Sequence, residues 1–270
     1  MRRCFFFLLA LLGLGVSARA EADSVSRAIE VTADQSLEWY QDQNLYVARG
    51  HAKAVRGDTT VTADLLTAHQ REKTAATPKD KSGDIDRLTA DGHVVIQKPN
   101  AVITGDHGAM DMDQHVAVVT GQTIRYESAQ QIVTARDSLE YWDEKKLAVA
   151  RGHAEAIKGD RHVSGDTLTA EFRDQPNGTS QLYKMAAIGH VTVVTQKDVT
   201  RGDKAIYDAA RDIAIITGHV RITRADGTQL TGDVGESNFA TNQSRLLTNG
   251  EGRVRALLPV KETPSKETQK

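Results

Sequence analysis

Apolar positions recur with a period of two along most of the chain: Leu45 and Val47, Val94 and Ile96, Val116 and Val118, Ile213 and Ile215, Val220 and Ile222. The runs are rich in Val, Ile and Thr and are broken about every 8 to 12 residues by Gly-Asp, Asn-Gly or Asp-Gly, a pattern that predicts short β-strands. No stretch after the first twenty residues carries a helical period.

The punctuation itself repeats. Gly50, Gly92, Gly152, Gly189 and Gly218 are each followed by His, and Gly121 stands in the same place before Gln122. The five Gly-His pairs are each trailed by a small residue and Asp: Ala63-Asp64, Gly105-Asp106, Gly165-Asp166, Gly202-Asp203 and Gly232-Asp233. The expected subunit is a pair of short strands bent at glycine, with the Asp bonding its own backbone at a corner. A longer period lies above this one. Residues 31–71 align with 133–173 at a fixed offset, with about 22 of 41 positions identical, which marks an internal duplication. The second halves, 92–121 and 189–218, also match, and the length difference falls in the polar segments 72–86 and 174–184, which read as surface loops.

Arg2 and Arg3, an apolar run from Phe5 to Val16 and then Ala18-Arg19-Ala20 predict a secretory signal peptide over 1–20. Its removal takes the sole cysteine, Cys4, so the mature chain is expected to have no thiol chemistry, and shifts the formal charge from −2 to about −5. Lys and Arg are spread rather than clustered, which argues against a nucleic-acid partner. Residues 21–28 and 256–270 read as disordered ends, leaving a first repeat over 29–125 and a second, with extra terminal strands, over 131–247.

Candidate chemistry is thin. Stacked layers would align the Gly-His imidazoles, yet the Gln at one position and the lack of tight His pairing argue against a metal site, and the Asp spacing fits turns better than calcium loops. No nucleophile elbow, Walker loop, dinucleotide fingerprint or zinc-protease helix is present, so no catalytic residue, metal or cofactor is expected. Trp39-Tyr40 and Tyr141-Trp142 exchange order between the copies, placing the indole on opposite faces. Arg49, Lys53, Arg56, Arg151 and Lys158 read as a solvated edge, with phosphate contact at a trough mouth as the sharper alternative.

The opening Val31-Thr32-Ala33-Asp34 with Ser36-Leu37-Glu38-Trp39-Tyr40, followed by Ala-x-Gly-x-Ala and Gly-Asp or Ala-Asp, resembles the periplasmic lipopolysaccharide-transport proteins of the OstA type, commonly called LptA, from about 29 to 247. The resemblance implies an all-β fold, an open, twisted β-jellyroll of stacked short antiparallel strands. It also implies a bridge across the periplasm, carrying lipopolysaccharide by its lipid A portion, with three protein partners: an LptC-type inner-membrane subunit, the N-terminal domain of an LptD-type outer-membrane barrel, and further copies of itself. On that fold the alternation assigns an apolar trough to Leu37, Trp39, Leu45, Val47, Val94, Ile96, Val116, Val118, Leu139, Leu147, Val149, Val191, Val193, Ile213, Ile215, Val220 and Ile222. The alternative reading is an exported parallel β-helix that binds or cleaves carbohydrate.

Overall fold

In the computed structural model the described residues are 29–71, 85–176, 180–241, 243–250 and 252–259, and they form one all-β architecture. In chain order the strands begin with β1 (Glu30–Thr32), β2 (Ser36–Tyr40), β3 (Leu45–Arg56), β4 (Thr59–Gln70), β5 (Ile85–Lys98) and β6 (Ala101–Asp111). Four short strands follow: β7 (Val116–Thr120), β8 (Ile124–Ser128), β9 (Ile132–Ala135) and β10 (Ser138–Trp142). The second copy continues with β11 (Leu147–Lys158), β12 (Arg161–Asp174), β13 (Ser180–Val194), β14 (Asp198–Asp208), β15 (Ile213–Arg224) and β16 (Gln229–Asn238). Strands β17 (Gln243–Leu247) and β18 (Arg255–Leu257) end it. The one helical element among the described residues is a 3-10 turn, Gln41–Gln43.

Every strand pairing among these residues is antiparallel. A parallel β-helix is therefore not the architecture. The long strands are creased in the middle. In β3, Arg49 pairs with Leu65 and Ala52 with Ala63, so Gly50 and His51 together face the single residue Asp64, a two-against-one bulge. The same shift occurs at Gly92-His93, Gly152-His153, Gly189-His190 and Gly218-His219. Both residues of each pair take positive φ, the glycines near +80° and the histidines between 42° and 49°. Glycine adopts that conformation without penalty, and histidine is among the side chains that tolerate it.

The creases line up and divide the sheet into two leaves. Leaf one starts at β2, takes one half of each long strand, includes β7 and β10, and ends at β17. Leaf two starts at β1, takes the other halves, includes β8 and β9, and ends at β18. The repeats are continuous, because β7 pairs with β10 and β9 with β11 across the junction. The apolar core lies inside the crease, where Ala150, Leu168, Ala187 and Ile216 of leaf one pack with Ala135, Ala154, Val191 and Val220 of leaf two. Ala63, Ala90 and Val94 make a smaller cluster in the first repeat.

Four expectations are corrected. Residues 180–184 belong to β13 rather than a loop, held by Phe172, which is buried and pairs with Leu182 beyond a register shift. Residues 256 and 257, expected in the disordered tail, belong to β18, which pairs with β16. The Asp residues of the small-Asp pairs sit within strands, opposite the bulges, rather than at hairpin corners. Residues 85 and 86 of the loop expected over 72–86 belong to β5, and the expected signal peptide over 1–20, the segment 21–28, the rest of that loop, 72–84, and residues 260–270 of the expected tail lie outside the described residues.

Candidate functional site

Directly opposed residues of an antiparallel pair share a face, so the registers trace the inner surface from the core outward. In leaf one the inner row runs through Leu37, Ala48, Leu66, Ala90, Gly108, Val119, Leu139, Ala150, Leu168, Ala187, Ala205 and Ile216. In leaf two it includes Val61, Ile96, Ile103 and Tyr126, and then Val133, Ala156, Val163 and Val193. The two rows face each other as an apolar trough and pack together at the crease.

Nine of the residues expected in the trough lie on this inner face: Leu37, Trp39, Val94, Ile96, Leu139, Val191, Val193, Val220 and Ile222. Six others, Val47, Val116, Val118, Val149, Ile213 and Ile215, lie on the opposite face of leaf one, as do Leu45 and Leu147. The polar neighbours of that face leave no ambiguity. Val47 opposes Glu38, whose carboxylate accepts from Ser36, Tyr40 and Arg49. Val149 and Val118 both oppose Glu140, which accepts from Ser138 (2.8 Å), Trp142 Nε1 (3.2 Å) and Arg151 (2.7 Å). Ile215 opposes Glu236, which is bonded by Arg245 at 2.9 Å. Ser36, Tyr40 and Arg49 hold Glu38 below the usual carboxylate range. Burial would raise Glu140, but Arg151, Ser138 and Trp142 outweigh it.

The expected set changes parity across the bulge of β15, from Ile213 and Ile215 to Val220 and Ile222, whereas the strand does not. Because the Gly-His pair counts as two residues on its own strand, β15 keeps even-numbered residues inward on both sides, Ile216 before the crease and Val220 after it. The overlooked inner residues of leaf one are mostly alanines and glycines, which fit where the leaves converge; a Cβ on Gly202 would come 2.7 Å from Ile216.

The aromatic exchange between the copies takes the form the sequence suggests. Trp39 lies on the inner face, stacked on Tyr46 with ring centroids 5.8 Å apart, whereas Trp142 lies outside with Lys145 over its ring at 4.2 Å. Of the cations, Arg49 and Arg151 bond the outer carboxylates and Lys53 shares their side of the sheet, while Arg56 and Lys158 belong to the inner rows at leaf-two tips.

The outside of the crease carries a regular polar array. His51, His93, His190 and His219 bond Asp34 (3.2 Å), Asp64 (2.8 Å), Asp166 (2.9 Å) and Asp203 (2.8 Å), and where Gln122 replaces His its backbone N–H bonds Asp106 at 2.8 Å. No group of three or more His, Cys, Asp or Glu arranged to hold a metal occurs among the described residues. The array instead ties each bulge to its neighbouring strand. Its hydrogen bond and charge contact with Asp64 raise the pKa of His93 above the ordinary value. A raised folded-state pKa stabilises the fold below the unfolded value and loses that contribution as pH climbs through the folded one. Asp64→Asn is accordingly expected to lower the His93 pKa, read from its imidazole carbon shifts by NMR; an unchanged titration would contradict the pairing.

At the mouth the rims approach through long basic side chains. Arg161, at the tip joining β11 and β12, lies over the Phe239 ring at 5.8 Å, and Phe239 meets Tyr207 edge to face at 6.2 Å. In the first repeat the rim is more open, with Trp39 57% and Met110 39% exposed.

The family model described as the LptA/(LptD N-terminal domain) LPS transport protein matches the chain twice, over residues 30–137 and 133–242. No curated protein matches. Among solved structures, one similar chain is LptH, the LptA homologous periplasmic component of the conserved lipopolysaccharide transport device from Pseudomonas aeruginosa, at 15% identity and a TM-score of 0.41. The similarity covers 48% of this chain and 95% of that one.

Proposed function

From a chain that belongs to the LptA and LptD N-terminal family of lipopolysaccharide-transport proteins, with two family units joined in one sheet, we propose a periplasmic bridge component that carries lipopolysaccharide from the inner to the outer membrane. The observation that carries this reading is the apolar trough running unbroken through both units. Acyl chains lie along its inner rows. Moving a twelve-carbon chain from water into such a surface gains up to about 10 kcal/mol at ~0.8 kcal/mol per CH₂. Repetition of small and aliphatic inner residues from layer to layer makes neighbouring positions similar in energy, as passage requires.

The ends support chaining. Strands β2 and β17 end leaf one, and β1 and β18 end leaf two; among the described residues each pairs on one side only. Thirteen antiparallel steps separate the two ends in each leaf, so the last strand runs opposite to the first. A second copy set head to tail continues the alternation by strand addition, and an LptC-type subunit or the N-terminal domain of an LptD-type barrel docks by the same geometry.

The test is photo-crosslinking in purified protein mixed with lipopolysaccharide. Probes at Ile96, Val193 and Ile222 are expected to yield lipid adducts, and probes at Val118, Ile215 and Arg151 on the outer face none. Labelling of both faces alike, or of neither, would remove the trough reading.

A further inference from the structure

The inner face of leaf two ends, in the second repeat, in two buried hydrogen-bond donors with no partner. Gln131 closes the hairpin between β8 and β9; it is 5% exposed, and its side-chain Nε2 is buried without an acceptor. Lys158 ends β11 on the adjacent tip, since Ile132, next to Gln131, pairs with Ile157. Its Nζ is likewise buried and unpartnered. Both share the inner parity of Val133, Ala154 and Ala156.

A buried ammonium without an acceptor is costly, as is an orphaned amide. Burial, and then the Arg161 guanidinium across the hairpin, lower the Lys158 pKa. The charged neighbour that acts on Lys158, Arg161, adds to the cost of its burial rather than offsetting it. A hydrophobic trough wall has no use for two such donors. An anionic acceptor entering from the trough would satisfy both at once by charge-assisted bonds.

We propose that Lys158 and Gln131, beside Arg161, form a docking site for a phosphate group carried by an amphipath whose chains lie in the trough. The proposal rests on the trough reading and adds a head-group station to it. It is confined to the second repeat. At the fixed offset of the duplication, Lys158, Arg161 and Gln131 correspond to Arg56, Thr59 and Ile29, and Arg56 is exposed. A ligand moving through identical apolar layers therefore meets one place where its head group is recognised.

The experiment compares lipid A carrying two phosphates with dephosphorylated lipid A, each displacing a bound apolar dye from the full chain. The wild-type protein is expected to favour the phosphorylated form by about tenfold. Lys158→Met should bring the two within about twofold, without weakening the dephosphorylated ligand, whereas Lys158→Arg and the outer-face control Lys53→Met keep the preference. Equal affinity of the wild-type protein for both lipids overturns the site and leaves the trough standing, as does a preference that survives in Lys158→Met. If neither lipid displaces the dye, the trough reading fails and the phosphate-on-amphipath site fails with it. The melting temperature in inorganic phosphate then separates the two failures: a rise lost in Lys158→Met leaves a free-anion site, and no rise leaves none.

Discussion

Replacing Gly189 by valine is expected to lower the free energy of unfolding by about 3 to 5 kcal/mol, while Gly159→Ala costs about 1 kcal/mol. Both glycines have positive φ, +76° and +60°. The backbone strain is therefore comparable in kind. What differs is the space. A Cβ on Gly159, at the hairpin tip between β11 and β12, meets nothing within 4 Å, but one on Gly189 would fall 2.1 Å from the Asp166 carboxylate oxygen and 3.0 Å from its Cβ. Rotating the carboxylate away does not relieve the second contact, and it breaks the bond to His190. The branched side chain adds its own steric penalty in the left-handed region. For a chain of this size the larger loss corresponds to a fall in melting temperature of roughly 6–15 °C. Urea and thermal unfolding of the two variants decide the matter, and losses of equal size would mean that the crease has no special packing.

The second large effect concerns assembly. On the proposed head-to-tail chaining, the double variant Leu37→Glu, Trp39→Glu is expected to self-associate roughly a hundredfold to a thousandfold more weakly than the parent chain, and so to stay monomeric at concentrations where the parent would grow in mass. Leu37 and Trp39 are 63% and 57% exposed although they stand on the inner face, because among the described residues β2 is the first strand of its leaf and pairs only with β3. A second copy arriving with β17 would bring Leu246, which already packs on the core, over that same row. Two carboxylates there would be desolvated against an apolar surface with no partner. Sedimentation velocity over a wide concentration range reads the outcome. Unchanged association in the double variant would place the contact elsewhere on the molecule.

Much of the fold was legible because its punctuation is chemical. Glycine-histidine pairs opposite aspartate announce a bulge, and two copies of the same order announce continuity. The face assignment of leaf one was not legible in the same way. Apolar residues occupy both sides of its strands, as at Val149 and Ala150 or Ile215 and Ile216, and bulk was the misleading cue. Ala150 and Ala154 line the crease together with Leu168 and Ile216, while Val149 on the opposite face is as buried as Ala150, 4% against 5% exposed, so neither bulk nor burial tells the two faces apart. In leaf two, Ile96, Val193 and Ile222 follow ordinary hydropathy and pack against the core from the inner face. Gln131 carried no signal at all in the sequence, since one of two adjacent Gln residues at a turn is unremarkable until its amide is seen buried without a partner.

The aspartate array also has a consequence of direction. Each carboxylate serves the bulge that comes later in the chain: Asp34 bonds His51, Asp64 bonds His93, Asp166 bonds His190, Asp203 bonds His219, and Asp233 accepts from the backbone of Asn249 at the far end. Walking along the crease, the same asymmetric step is met again and again with one sense. The molecule thus carries an arrow written in its backbone. Two copies joined tail to tail would set opposing arrows against each other, while copies joined end to start preserve a single heading over any length.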